Sequence, residues 1–151
     1  MKHFFIVLTI LVFSSNGQAQ STEDSVKAVV TNLFTAMIKA DTALLKTCFA
    51  DSMVLQTIVR GKSGGAEVKN ETAATFIKSI SSLKPGAADE RIKFGTVLTD
   101  GPLALVWTPY EFYYNGQFSH CGVNSFHLVR FSTGWKIQFL IDTRRRTECG
   151  D

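Results

Sequence analysis

No apolar run in this 151-residue chain is long enough to cross a bilayer as a helix, which takes roughly 20 apolar residues. Cysteine is scarce and odd in number: Cys48, Cys121 and Cys149 leave at least one thiol unpaired within a monomer. Histidine also numbers three, and no Cys/His cluster accompanies it, so a metal site is not expected and no cofactor is implied. Neither sign of charge prevails, with 16 Lys and Arg against 13 Asp and Glu. A footprint for nucleic acid is therefore missing. The one basic run, "TRRRTE" at 143–148, reads as a solvated strand end. "GKS" at 61–63 is not a phosphate loop, because the glycine required at position 56 is Gln56. There are no internal repeats, linkers or low-complexity segments.

The N-terminus begins with Lys2 and an apolar run from Phe4 to Phe13, then a polar stretch ending in small residues. This is the pattern of a secretory signal peptide cleaved after Ala19. No cysteine follows that point to carry a lipid anchor. The expectation is one domain over residues 20–151, secreted or periplasmic, with no membrane association after cleavage. Such a compartment permits a disulfide. Cys121 sits inside an apolar strand pattern and reads as a small buried hydrophobe. A Cys48–Cys149 bridge is left open.

The fold class is α+β. Val26, Val29, Val30, Leu33, Phe34 and Met37 recur at helical spacing behind a capping box of Ser21 and Asp24. A short second helix starts at Asp41 and carries Leu44, Leu45, Cys48 and Phe49. A strand is expected over 52–59, then a Gly-rich loop over 60–70, then a third helix from Glu71 to Leu83 stopped by "KPG". From Arg91 the pattern is a meander of strands 91–99, 102–114, 117–131 and 135–143. Turn signals at Asp100-Gly101, Asn115-Gly116 and "STG" (132–134) separate them.

Two-residue turns fix register, and register fixes faces. From Asn115-Gly116, Glu111 is expected opposite His120, Trp107 opposite Asn124 and Leu105 opposite Phe126. Asp100-Gly101 is expected to set Phe94 opposite Trp107 and Leu98 opposite Leu103. "STG" is expected to set Asn124 opposite Asp142 and Phe126 opposite Leu140. One face then carries Ile92, Phe94, Leu98, Leu103, Leu105, Trp107, Phe126, Leu128 and Leu140 at one end. Glu111, His120, Asn124, Asp142 and Arg144 stand at the other. The opposite face has Arg91 and Lys93 at its edge. Val106, Tyr110, Val123, Val129, Ile137, Phe139 and Ile141 form its centre. Helices packed on the apolar end of the first face would leave its polar end lining a pocket. The apolar centre of the second suggests a protein interface. Pro109 is expected to mark a bulge, so Glu111 is the least secure of the polar set.

The order of elements and the C-terminal pattern "FSHCGVNSFHLVRFSTGWKIQFLIDTRRR" resemble the nuclear transport factor 2-like superfamily. It includes ketosteroid isomerase-like, scytalone dehydratase-like and SnoaL-like proteins. The "GWKI" ending is similar to the group named for lumazine binding. The resemblance covers the chain after the signal. It implies a cone-shaped α+β fold in which three N-terminal helices pack on a strongly bent, mostly antiparallel sheet. It also implies a pocket between them and a homodimer through the sheet. The reading is a small-molecule-binding protein. Phe94, Trp107 and Phe126 would form the wall of its site, with His120, Asn124, Asp142 and Arg144 as orienting groups. The alternative is a lyase or isomerase moving a proton next to a carbonyl, with His120 as base balanced by Asp142 or Glu111 and Trp107 holding the substrate. A third is a protein-interaction module working through the second face.

Overall fold

Each of the three helices starts on a side chain that satisfies an otherwise orphaned backbone N–H. In the computed structural model, which describes residues 21–149, helix α1 spans Thr22–Lys39. Ser21 Oγ accepts from the Asp24 N–H at 3.0 Å and donates to its carboxylate at 2.7 Å. Helix α2, Thr42–Cys48, is capped by Asp41, whose carboxylate accepts from the Leu44 N–H at 2.9 Å. Helix α3, Ala73–Ser81, is capped by Thr72, so it starts two residues after the expected Glu71. None of these helices is long and apolar enough to cross a membrane. The expected signal peptide at 1–19 lies outside the described residues.

Seven strands form one bent sheet: β1 Phe49–Arg60, β2 Ala66–Glu71, β3 Ala88–Ile92, β4 Thr96–Asp100, β5 Leu103–Tyr114, β6 Gln117–Phe131 and β7 Gly134–Thr143. The order across it is β2-β1-β7-β6-β5-β3, with β4 also on β5. All pairings are antiparallel except β1 with β7, so the sheet is mixed but mostly antiparallel. The expected Gly-rich loop is instead a hairpin. A tight turn around Gly61–Gly65, closed by the Gly61 N–H to the Gly65 carbonyl, brings β2 onto β1. The expected single strand 91–99 is two strands, interrupted at Lys93–Gly95.

Asn115-Gly116 makes the expected hairpin, with both residues at positive φ (51° and 78°) and Tyr114 opposite Gln117. The register then slips within three residues. Tyr113 pairs with Phe118 but Phe112 pairs with His120, leaving Ser119 as an extra residue in β6. Beyond this bulge Trp107 stands opposite Ser125 and Val106 opposite Phe126. The bulge is therefore at Ser119 and not at Pro109. At the first turn Asp100 pairs with Leu103, and Leu98 with Leu105, two residues beyond the expected Leu103. At the third, Phe131 pairs with Gly134, a two-residue turn. A second bulge between His127 and Leu128 then restores Asn124 opposite Asp142 and Phe126 opposite Leu140, as expected.

The Ser119 bulge exchanges the faces of β5. Ala104, Val106, Thr108 and Tyr110 point toward the helices and are buried; Trp107 is on the other, convex face and 45% exposed. Ile137, expected on the convex face, is fully buried under the helices, as is Val106. The core is built by Val26, Val30, Leu33 and Phe34 of α1 against Val106, Phe126, Leu128 and Ile137 of the sheet. Phe34 meets Phe126 edge-on, ring centres 6.1 Å apart.

Cys121 is not a lone buried hydrophobe. It is bonded to Cys149, and Cys48 is the free, buried thiol. Burial pushes the Cys48 thiol pKa up, which keeps it protonated and unreactive.

Candidate functional site

The helices do not cover the whole concave face. Leu33, Phe34 and Met37 of α1, together with Phe76, Ser79 and Ile80 of α3 and Leu83 just after it, form one wall of a cavity of about 340 Å³. The sheet supplies the other wall: Leu55, Glu71, Ala88, Glu90, Tyr110, Phe112, Tyr114, His120, Asn124, Leu140, Asp142 and Arg144. The helix wall is almost entirely apolar, and the polar groups come from the sheet.

Asp142 is the hub of the polar set. Its Oδ1 accepts from Thr57 Oγ1 at 2.6 Å and its Oδ2 from Arg144 Nε at 2.8 Å. Arg144 Nη2 returns to Thr57 Oγ1 at 3.1 Å, closing a three-residue ring. Thr57 and Asp142 meet because β1 runs parallel to β7 with these two residues in register. The Tyr110 hydroxyl sits 3.3 Å from Asp142 Oδ2 and 2.9 Å from the Thr143 carbonyl, the closer acceptor of its single proton. Burial and then the Asp142 charge raise the Tyr110 pKa, so this hydroxyl stays protonated.

Gly122 makes the approach of Tyr110 to Thr143 sterically feasible. A Cβ there would lie 1.8 Å from the Thr143 carbonyl oxygen and 2.9 Å from the Tyr110 ring. No side chain fits between these two backbones.

Glu90 and Asn124 form a second polar pair, with Asn124 Nδ2 donating to Glu90 Oε1 at 2.8 Å. Burial raises the Glu90 carboxyl to about 7; the Asn124 hydrogen bond opposes the rise and the Asp142 charge adds to it. His120 packs its ring against Phe112, centres 5.0 Å apart, and edge-on to Tyr110 at 5.7 Å. Its Nδ1 lies 3.1 Å from Ser119 Oγ. Burial first, then the positive charge of Arg144, lowers its pKa, so the ring is neutral at pH 7. Burial likewise raises Glu71.

Of the residues expected from the sequence, His120, Asn124, Asp142 and Arg144 come together around this cavity. Three do not line it. Trp107 is on the opposite face because of the Ser119 bulge. Phe94 lies just past the end of β3, over a separate shallow hollow, under the Lys27 ammonium at 5.6 Å. Phe126 is fully buried in the core behind the cavity. Glu111 is also on the convex side, where it accepts from the Tyr113 hydroxyl at 2.9 Å. His120 and Asp142 line one cavity without a hydrogen bond between them: the Asp142 oxygens are taken by Thr57 and Arg144, with Tyr110 close by.

Sequence reasoning missed Glu90, Tyr110, Thr57 and Glu71. Glu90 stands one residue before the expected strand start. Tyr110 falls on the opposite face if the register runs uninterrupted past Ser119. Thr57 and Glu71 enter through a parallel pairing and a hairpin that no short-range turn signal announces.

No protein-family model and no curated protein matches the chain. Solved structures do. A nuclear transport factor 2-like protein from Cytophaga hutchinsonii aligns with a TM-score of 0.63 and 18% identity, over 83% of this chain and 99% of that one. A domain of unknown function with a cystatin-like fold from Nostoc punctiforme aligns with a TM-score of 0.63 and 17% identity, over 83% and 78%. A nuclear transport factor 2-like protein from Streptomyces avermitilis, provisionally described as a dehydratase, aligns with a TM-score of 0.60 and 17% identity, over 82% and 95%. At these identities the likeness carries the fold alone. This chain has the nuclear transport factor 2-like fold.

Proposed function

We propose that the cavity between the helices and the concave face is a binding site for a small, largely apolar molecule. The observation that carries this is the division of the walls. An apolar helix wall faces a few convergent polar groups across about 340 Å³. Pockets that orient small ligands are built this way. A fold needing only stability would close such a volume with side chains, since unfilled space costs packing energy. The test is native mass spectrometry of the chain from its native extract, with His120→Gln beside it. A co-purified molecule should be lost or weakened in His120→Gln while the melting temperature holds. Trp107→Ala, on the convex face, should leave binding unchanged. A large stability loss at His120 with unchanged binding would remove His120 from the site.

A second reading is favoured by one observation. A carboxyl that titrates near neutrality, Glu90, and a neutral imidazole, His120, share the cavity. A lyase or isomerase moving a proton next to a carbonyl needs groups poised in this way. The compartment is secreted or periplasmic, which the Cys121–Cys149 disulfide supports. The partner on the convex face is a second copy of this chain, supported by exposed Val54, Leu98, Leu103 and Trp107 there.

A further inference from the structure

Charge is unevenly distributed around the cavity. Three carboxyl-bearing residues line it, Glu71, Glu90 and Asp142, against one cation, Arg144. That cation is already engaged, through Nε to Asp142 and through Nη2 to Thr57. Asp142 is engaged in turn at both oxygens. Glu90 differs. Asn124 donates to its Oε1, and among the described residues no side chain donates to Oε2 and no ion pair holds it. His120, neutral because burial lowers its pKa, adds no positive charge.

The aromatic rings of Phe76 and Phe112, which line the same cavity, favour a positive guest as the carboxyls do.

We infer that the cavity takes a compact apolar molecule bearing a basic nitrogen, with the ammonium seated on Glu90 and the hydrocarbon body against Met37, Phe76 and Phe112. Carboxylates and phosphates are rejected. The inference rests on the binding-site reading above and specifies its ligand class.

Three matched probes test it: 2-naphthylmethylamine, 2-naphthylmethanol and 2-naphthoate. Each is titrated at pH 8 into the full chain while the Leu33 and Met37 methyl signals are followed by NMR. The amine should bind about tenfold more tightly than the alcohol, the advantage of a charge-assisted hydrogen bond, and the naphthoate more weakly than either. In Glu90→Gln the amine should fall to the level of the alcohol, while Glu90→Asp should keep the preference. Naphthoate binding as tightly as the amine would overturn the inference and hand the site to Arg144. An amine preference that survives Glu90→Gln would also overturn it. Should Glu90→Gln not fold, the rank order on the parent chain decides. If none of the probes moves the two methyl signals, the binding reading itself falls, and this one with it.

Discussion

Glu90 and His120 carry opposite pH dependences, both set by burial. An ordinary glutamate titrates near 4.5, but burial and the nearby Asp142 hold Glu90 to about 7. Between those values the unfolded chain has released the proton and the folded chain has kept it. Stability contributed by this residue therefore falls as pH rises from about 4.5 to about 7, by up to roughly 3 kcal/mol, and is level above. His120 works the other way. Its lowered pKa means that the unfolded chain protonates first as pH falls through 6.5, so stability is lost on acidification. Urea unfolding across this pH range should show Glu90→Gln more stable than the parent at pH 8, with the downward slope gone. A Glu90→Gln curve parallel to the parent's throughout would show that Glu90 titrates normally. No sequence pattern marked Glu90, because its raised pKa comes from burial in the folded chain, which Asn124, 34 positions away, only partly offsets.

Strand β6 is the element that decides the site. Its bulge at Ser119 turns His120 and Asn124 to the cavity together with Tyr110 and Phe112, and turns Trp107 away. Past the end of β7, Arg145 continues the ladder by exchanging backbone hydrogen bonds with Cys121 at 2.8 and 2.9 Å. The Cys121–Cys149 disulfide closes a loop 28 residues apart in sequence around this extension. Reduction or Cys149→Ser should cost about 2–4 kcal/mol, mainly by freeing the unfolded chain. Amide exchange at Cys121 and Arg145 should also quicken. Equal urea midpoints with and without reductant would show that the bridge constrains nothing. The starts of the first two helices at Ser21 and Asp41 and the Asn115-Gly116 turn were legible because each is a contact within a few residues. The β1–β2 hairpin was not, because its glycines read equally well as a loop.

At the scale of the molecule, the convex face is where the proposed homodimer would form. Ile141 and Phe139 are half-buried there, beside exposed Val54, Leu98, Leu103 and Trp107. The corrected register removes Val106 and Ile137 from the proposed dimer face and adds these exposed neighbours. Burying several hundred Å² of such surface at ~25 cal/mol per Å² would favour a homodimer by several kcal/mol before association costs. Ile141→Lys should dissociate it with the circular dichroism and melting of the subunit retained. Light scattering that finds the parent chain monomeric at high concentration would end the proposal.

What the sequence determined by itself is local or periodic. It set the three helices with their apolar stripes and the succession of strands after them. The pairing of Asn124 with Asp142 matches the expectation only because a shorter turn and a bulge offset each other in β6 and β7. Only the tertiary structure decided which face Tyr110 and Trp107 share, which cysteines pair, and that Thr57 reaches Asp142 across a parallel ladder. The physical reason is the two-residue period of a strand. One extra residue at Ser119 reverses the face of every pairing beyond it, and composition alone does not locate that residue. Parallel pairing and disulfide choice depend on where distant segments dock, and that is settled by burial of the whole core rather than by any stretch of chain.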